Sequence, residues 1–318
     1  MSASRADHAA ARSPGAAASM RRLLVLIEDA VVSALPTVAP SGAAGFGVDR
    51  LAESMRYSLC TPGKRIRPLL LLAAAETVGA QAARLSRFAA GLEMIHAYSL
   101  IHDDLPAMDD DDLRRGFPTN HVIYGEGLAI LAGDGLLSEA FVLMLEPVTD
   151  AAIQARVVHE IARASGREGM VGGQAADLMG EGRAPDPSLL RAIHARKTGA
   201  LLRVSVQAGA MLGGSTPAQL AALCDFGERF GLAFQIADDI KDEVAPPQVT
   251  GKSAGGDQVA GKVTYPSLFG IDRSRELLLA ELEAALQALR SLEGDTTLLE
   301  AIALEAVAPA LANGVAED

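Results

Sequence analysis

Apolar residues recur at helical spacing in long blocks almost from end to end of this 318-residue chain. The blocks cover roughly 20–35, 48–60, 64–79, 82–104, 126–145, 150–165, 186–212, 216–243, 271–291 and 296–307. Alternating strand patterns are nearly absent, and no internal repeat is visible. The apolar mass is mainly Ala and Leu, with aromatics at 4% and no Trp. Ala and Leu enter helices at little cost, whereas strands favour β-branched and aromatic side chains. The expected fold class is therefore all-α: a single-domain bundle of long antiparallel helices around a central cavity. Pro36–Gly47, Gly213-Gly214-Ser215 and Pro246-Pro247 punctuate it, and the glycine-rich stretch Gly169–Gly182 predicts close helix packing or a strained bend.

The folded domain is expected over 20–318, with 1–19 a disordered tail; a transit peptide is the compositional alternative. A net charge of −12 argues against nucleic acid, which requires a dense basic face. Cys60 and Cys224 fit neither a disulfide framework nor a zinc spacing, and they point to a reducing, cytoplasmic setting. No run of 18 uncharged apolar residues exists, so no membrane span is expected.

Chemistry concentrates in two aspartate clusters. One runs from His102 to Asp112 as His-Asp-Asp-Leu-Pro-Ala-Met-Asp-Asp-Asp-Asp; the other is Asp238-Asp239-Ile240-Lys241-Asp242. Either alone has the blander reading of a solvated acidic turn, which loses weight once both clusters and the cations around them are counted. Each follows an apolar helical stretch, so both should lie at helix ends facing a shared space. Carboxylates at such density repel unless a cation lies between them. Oxygen-only donors favour a hard cation, above all Mg²⁺ completed by substrate phosphates. Pro106 interrupts the helix, so Asp103 and Asp109 must be brought together by a bend. Asp238 and Asp242 are i, i+4 and share a face directly, with Gln235 on the same side.

Cations surround these acids. Gly63-Lys64-Arg65-Ile66-Arg67-Pro68 puts Lys64 and Arg67 three apart, neighbours on one face if the helix begins at 64. A guanidinium with an ammonium beside it suits a diphosphate. His96 lies seven residues before Asp103, on the same helical face, and Arg114 and Arg115 follow the first cluster. Lys197-Thr198, Lys252 and Lys262 add further positive or donor groups. Gly251-Lys252-Ser253 is not a phosphate-binding P-loop, because Pro246 stands where that loop needs glycine.

In their order and spacing, Gly63–Pro68, Glu93–Gly116, Gly172-Gly173-Gln174, Lys197-Thr198-Gly199, Gly231–Asp239 and Lys262–Pro266 resemble the trans-isoprenyl (polyprenyl) diphosphate synthases, especially bacterial farnesyl diphosphate synthases. The resemblance implies a homodimeric, Mg²⁺-dependent prenyltransferase acting on isopentenyl diphosphate and an allylic diphosphate. Three Mg²⁺ per site are implied, with Mn²⁺ able to substitute. Asp103, Asp109 and Asp238 would bind metal, and Asp104, Asp239 and Asp242 would do so directly or through water. Lys64, Arg67, His96 and Arg115 would hold isopentenyl diphosphate. Arg114, Lys197, Thr198, Gln235, Lys252 and Lys262 would contact the allylic substrate or its leaving group.

Chain length would be set by Tyr98, five positions before Asp103, with Ser99 beside it; a bulky residue there implies a C15 product, farnesyl diphosphate. Geranylgeranyl diphosphate is the alternative product, and a class I terpene cyclase or an inactive regulatory subunit are alternative functions. Lys64, Arg67 and His96 count against the cyclase, and the intact aspartates against the subunit. Three features depart from the family pattern: Pro62 replaces a usual glycine, Lys241 a usual apolar residue, and the C-terminus is acidic rather than basic.

Overall fold

The computed structural model describes residues 14–35, 46–180, 186–244 and 263–312. In chain order they form α1 (Pro14–Ala34), α2 (Phe46–Cys60), α3 (Ile66–Thr77), α4 (Ser86–Asp103), β1 (Leu113–Arg114), β2 (Phe117–Pro118), α5 (Asn120–Tyr124) and α6 (Glu126–Met144). There follow α7 (Ala151–Ser165), α8 (Met170–Gly180), α9 (Pro187–His194), α10 (Ala200–Leu212), α11 (Pro217–Val244), α12 (Tyr265–Phe269), α13 (Ile271–Arg290) and α14 (Thr297–Leu311). The fold is the all-α bundle that the periodicity predicts. Among the described residues, strand is confined to the hairpin, with Leu113 opposite Pro118 and Arg114 opposite Phe117.

Helix α3 is central. Its Pro68–Ala75 run is buried on every side, as an all-round apolar helix must be. It packs on α10, which also meets α7 and α11; α4 packs on α6, and α11 on α13. The carboxylates at the C-terminal ends of α4 and α11 lie within electrostatic reach of cations on other elements: Lys197 acts on Asp103, and Asp238 on Arg67.

Several boundaries differ from expectation, each for a local reason. Helix α1 begins at Pro14 rather than Met20, because proline suits the first helical position and the alanines after it propagate the helix. Residues 14–19 thus belong to the helical body, and 1–13 lie outside the described residues. Helix α3 begins at Ile66 rather than 64. Arg65 has φ 48°, so Lys64 precedes the helix and is not a helical neighbour of Arg67. The cause is inward: Arg65 donates to Glu93 at 2.8 Å and to Glu28 at 2.8 Å, and these bonds hold the left-handed backbone. The expected helix 82–104 opens with a 3₁₀ turn at Ala82–Leu85, and the block 186–212 is interrupted by a π-turn at Ala195–Gly199. Within the glycine-rich stretch, Met170–Gly180 form helix α8.

Helix α6 is the one described helix long and apolar enough to cross a membrane by length and composition, with mean hydropathy 1.6. It escapes the search for uncharged runs because it carries Asp134 and Glu139. Its inner face meets α4, while Ile130, Leu131 and Val142 remain exposed beside Val122 and Ile123 of α5.

Candidate active site

The first acidic wall is built by the end of α4. The chain leaves the helix at Asp104 and folds back so that the Asp109 N–H donates to the Asp103 carbonyl at 2.8 Å. This is the bend that Pro106 requires, and it sets Asp103 and Asp109 on one turn. Burial, the main cause, raises the Asp103 pKa to about 6. Lys197 pulls it down, Asp109 pushes it up, Arg114 lowers it and Asp104 raises it.

Asp104 has a different task. Buried, it accepts from Arg114 Nε at 2.5 Å, and Asp111 lies 3.6 Å from the same guanidinium. Burial opposes the Arg114 charge, but the bond to Asp104 and the surrounding carboxylates outweigh it and raise its pKa. Asp104 therefore fixes an arginine beside the acidic turn.

A cationic pocket adjoins this wall. Its lining includes Glu93, His96, Arg114, Arg115, Tyr57 and Asn120. Arg115 folds over the loop and donates to the Pro62 carbonyl at 3.0 Å. A Cβ on Gly63 would stand 2.1 Å from its guanidinium, so a larger residue there would push the Arg115 side chain aside. Burial, and then Arg67, Arg115 and Arg114, hold the His96 pKa well below the ordinary imidazole value. The imidazole is thus neutral among cations, and its buried Nδ1 has no partner among the described residues. Arg67 is pulled down to about 10, chiefly by burial, with Glu93 opposing and Arg115 adding to the effect. Its buried Nε is likewise unpartnered among the described residues. The guanidinium groups of Arg114 and Arg115 on the cavity lining, with Arg67 acting on His96 from nearby, suit an anion, while the buried Glu93 Oε2 is an acceptor also unpartnered among the described residues. Lys64 is exposed on the loop beside them.

The opposite wall is made by α8, the π-turn and α11. The extra residue of the π-turn presents Lys197 and Thr198 together. Lys197 donates to Asp177 of α8 at 2.6 Å, and Thr198 donates to Gln235 at 2.6 Å. Gly173 makes this possible, since a Cβ there would lie 2.2 Å from the Lys197 nitrogen. Gln235 passes the contact on, donating to Asp239 at 3.0 Å; Asp239 also accepts from the Tyr265 N–H at 2.9 Å. Asp239 is buried in these bonds, with His194 3.8 Å away and stacked on Tyr265. Burial lowers the His194 pKa to about 4. Like Asp104, Asp239 ties elements together. Asp238 and Asp242 instead bracket the ammonium of Lys241.

Tyr98 is buried on α4, edge-on to the His102 ring at 5.8 Å, and burial with Asp103 raises its pKa to about 12. Ser99 bonds back to the His96 carbonyl at 2.9 Å. Lys252 and Lys262 lie outside the described residues. Sequence reading missed Asp177, Glu93, Glu28 and His194 as supports. Asp177 had a signal, an acid three residues after Gln174 in the Gly-Gly-Gln run; Glu28 and His194 had none. A larger cleft on the outer side of the π-turn holds Arg163, Arg191, Arg203 and Arg229, but each lies within 4.0 Å of a glutamate and none belongs to the residues above.

The polyprenyl synthetase family model matches residues 48–302. The chain belongs to that family. A farnesyl diphosphate synthase from Geobacillus stearothermophilus is 48% identical over 256 residues, 80% of this chain and 86% of that one. A chloroplastic geranylgeranyl pyrophosphate synthase from Catharanthus roseus is 49% identical over 231 residues, 71% of this chain and 64% of that one. Among solved structures, an FPP/GFPP synthase from Zymomonas mobilis matches with TM-score 0.82 at 33% identity, over 92% of this chain and 99% of that one. A geranyltransferase from Helicobacter pylori, complexed with magnesium and isoprenyl diphosphate, matches with TM-score 0.80 at 28% identity, over 94% of this chain and 98% of that one.

This polyprenyl synthetase is accordingly a trans-prenyltransferase of a Mg²⁺-dependent family. Its residues fit that ion. The candidate donors are carboxylate oxygens of the two clusters, and among the described residues no three His, Cys, Asp or Glu side chains group closely enough to hold a metal ion by themselves. Mg²⁺ suits such an arrangement, since it is held by one or two carboxylates, water and substrate phosphate. Burial is what chiefly raises the Asp103 pKa, and a cation beside it would favour the charged carboxylate.

Proposed function

We propose that this prenyltransferase condenses isopentenyl diphosphate with dimethylallyl and then geranyl diphosphate, and stops at farnesyl diphosphate. The observation that carries the C15 limit is Tyr98, a buried ring on α4 five residues before Asp103. At about 1.5 Å per residue it lies roughly 7.5 Å along α4 from the acidic turn, and its role as the floor of the product pocket rests on the family resemblance. Farnesyl synthases from Geobacillus stearothermophilus and Escherichia coli, 48% and 45% identical, are consistent with this product. The 49% identical geranylgeranyl synthase keeps the C20 product as a second reading.

In this reading Arg67, His96 and Arg115, with Lys64 on the loop, hold isopentenyl diphosphate. Arg114, Lys197, Thr198 and Gln235, joined by Lys252 and Lys262, hold the allylic diphosphate. Asp103 and Asp109 on one wall and Asp238 on the other carry Mg²⁺, three per site, with Mn²⁺ as a substitute. When bound, the metal supplies positive charge to the diphosphate as it departs. Lys197 and Arg114 add fixed charge at the same place, which favours C–O ionisation because they need no reorganisation. The double bond of isopentenyl diphosphate attacks the allylic cation, and the proton lost from the product passes to the diphosphate. The apolar interior around Tyr98 keeps water from the cation. The exposed apolar face of α5 and α6 supports a homodimer with its contact there.

The test is product sizing with Mg²⁺, labelled isopentenyl diphosphate and each allylic starter. We expect product to stop at C15, and Tyr98→Ala to extend it to C20 or beyond. A C20 product from the unmodified protein refutes the Tyr98 assignment, and no condensation with any starter refutes the whole reading.

A further inference from the structure

Lys241 stands inside the second acidic cluster, one turn after Asp238 and next to Asp242. Its ammonium is bonded to the Asp238 carboxylate and lies 3.6 Å from Asp242. Asp239 offers no alternative partner, because its oxygens face the Tyr265 N–H and Gln235. The arrangement is half open to solvent: the side chains of Lys241, Asp238 and Asp242 are 39%, 42% and 30% exposed. The ammonium can therefore swing out on its four-carbon stem without disturbing buried groups.

An ammonium and a divalent metal seek the same carboxylate oxygens and repel each other at a few ångströms. We infer that Lys241 is a built-in counter-ion of the second acidic cluster, and that metal reaches Asp238 only by exchange with its ammonium. The inference rests on Asp238 being a metal ligand, as in the proposed function. It follows that this wall takes up metal more weakly than it would with an apolar residue at 241. It also follows that arriving diphosphate helps the exchange, by giving the displaced ammonium a new anionic partner. Loading then runs from the Asp103–Asp109 wall to the Asp238 wall.

The test is Mn²⁺ titration of the intact protein, read by the paramagnetic signal of free Mn²⁺ and by calorimetry, with and without inorganic diphosphate. Wild type is compared with Lys241→Leu, Lys241→Arg and Asp238→Asn, each checked for its helical signal, with Lys241→Met as a second apolar variant. Without diphosphate, we expect Lys241→Leu to tighten the weakest metal step on the order of tenfold, the effect of removing a nearby, partly screened charge. Lys241→Arg should resemble wild type, and Asp238→Asn should lose that step. If Lys241→Leu and Lys241→Met match wild type while Asp238→Asn loses metal, the exchange is wrong and the site reading stands. If Asp238→Asn itself matches wild type, both fall.

Discussion

Asp103→Asn should make the metal-free protein more stable while destroying its activity. The Asp103 carboxyl is raised from 3.8 to about 6, mainly by burial. The folded protein thus holds this proton more tightly than the unfolded chain, so stability falls as pH rises from 3.8 through about 6. At 1.36 kcal/mol per pH unit the penalty is about 1.6 kcal/mol at pH 5 and levels off near 3 kcal/mol above pH 7. An asparagine side chain carries no proton to lose and escapes the penalty. Urea unfolding in EDTA should show the Asp103→Asn variant gaining up to about 3 kcal/mol at pH 8, and about 1.4 kcal/mol less at pH 5. Adding Mg²⁺ and inorganic diphosphate should reverse the order, since only the carboxylate gains a cation. A variant no more stable than wild type at pH 8, or a gain independent of pH, would refute the reasoning.

Glu93→Ala leaves the buried Arg65 guanidinium without its inner partner, and about 3–5 kcal/mol of stability should be lost in urea unfolding. Lys197→Ala removes a charge from the leaving-group side of the site and should lower kcat by about 10²–10³. It also removes the largest influence holding the Asp103 pKa down, so the acid limb of the kcat/KM profile should move to higher pH. Gly173→Ala places a Cβ 2.2 Å from the Lys197 nitrogen and must displace the π-turn. Its main effect should be on kcat, with the far-ultraviolet helical signal kept.

Helix positions were legible because long Ala- and Leu-rich periods leave few alternatives. The errors fell where tertiary contacts override local preference. Arg65 breaks the helical start because Glu28 and Glu93, distant in sequence, draw its side chain inward. The π-turn at 195–199 has no signature in its own residues; it depends on the close approach of α8 at Gly173. The aspartates were visible as clusters, but their division of labour was not. Asp104 and Asp239 look equivalent to their neighbours in sequence, yet each is turned to protein partners, Arg114 in one case and Tyr265 and Gln235 in the other.

The central claim is that two acidic walls close on one diphosphate through metal. A crystal structure with Mn²⁺, isopentenyl diphosphate and an unreactive thio-analogue of dimethylallyl diphosphate tests it most directly. The account predicts anomalous peaks bound by Asp103 and Asp109 on one side and by Asp238 on the other, with the allylic diphosphate between them and isopentenyl diphosphate on Arg67, His96 and Arg115. Metal confined to one wall, or an allylic diphosphate bound away from both, would contradict it.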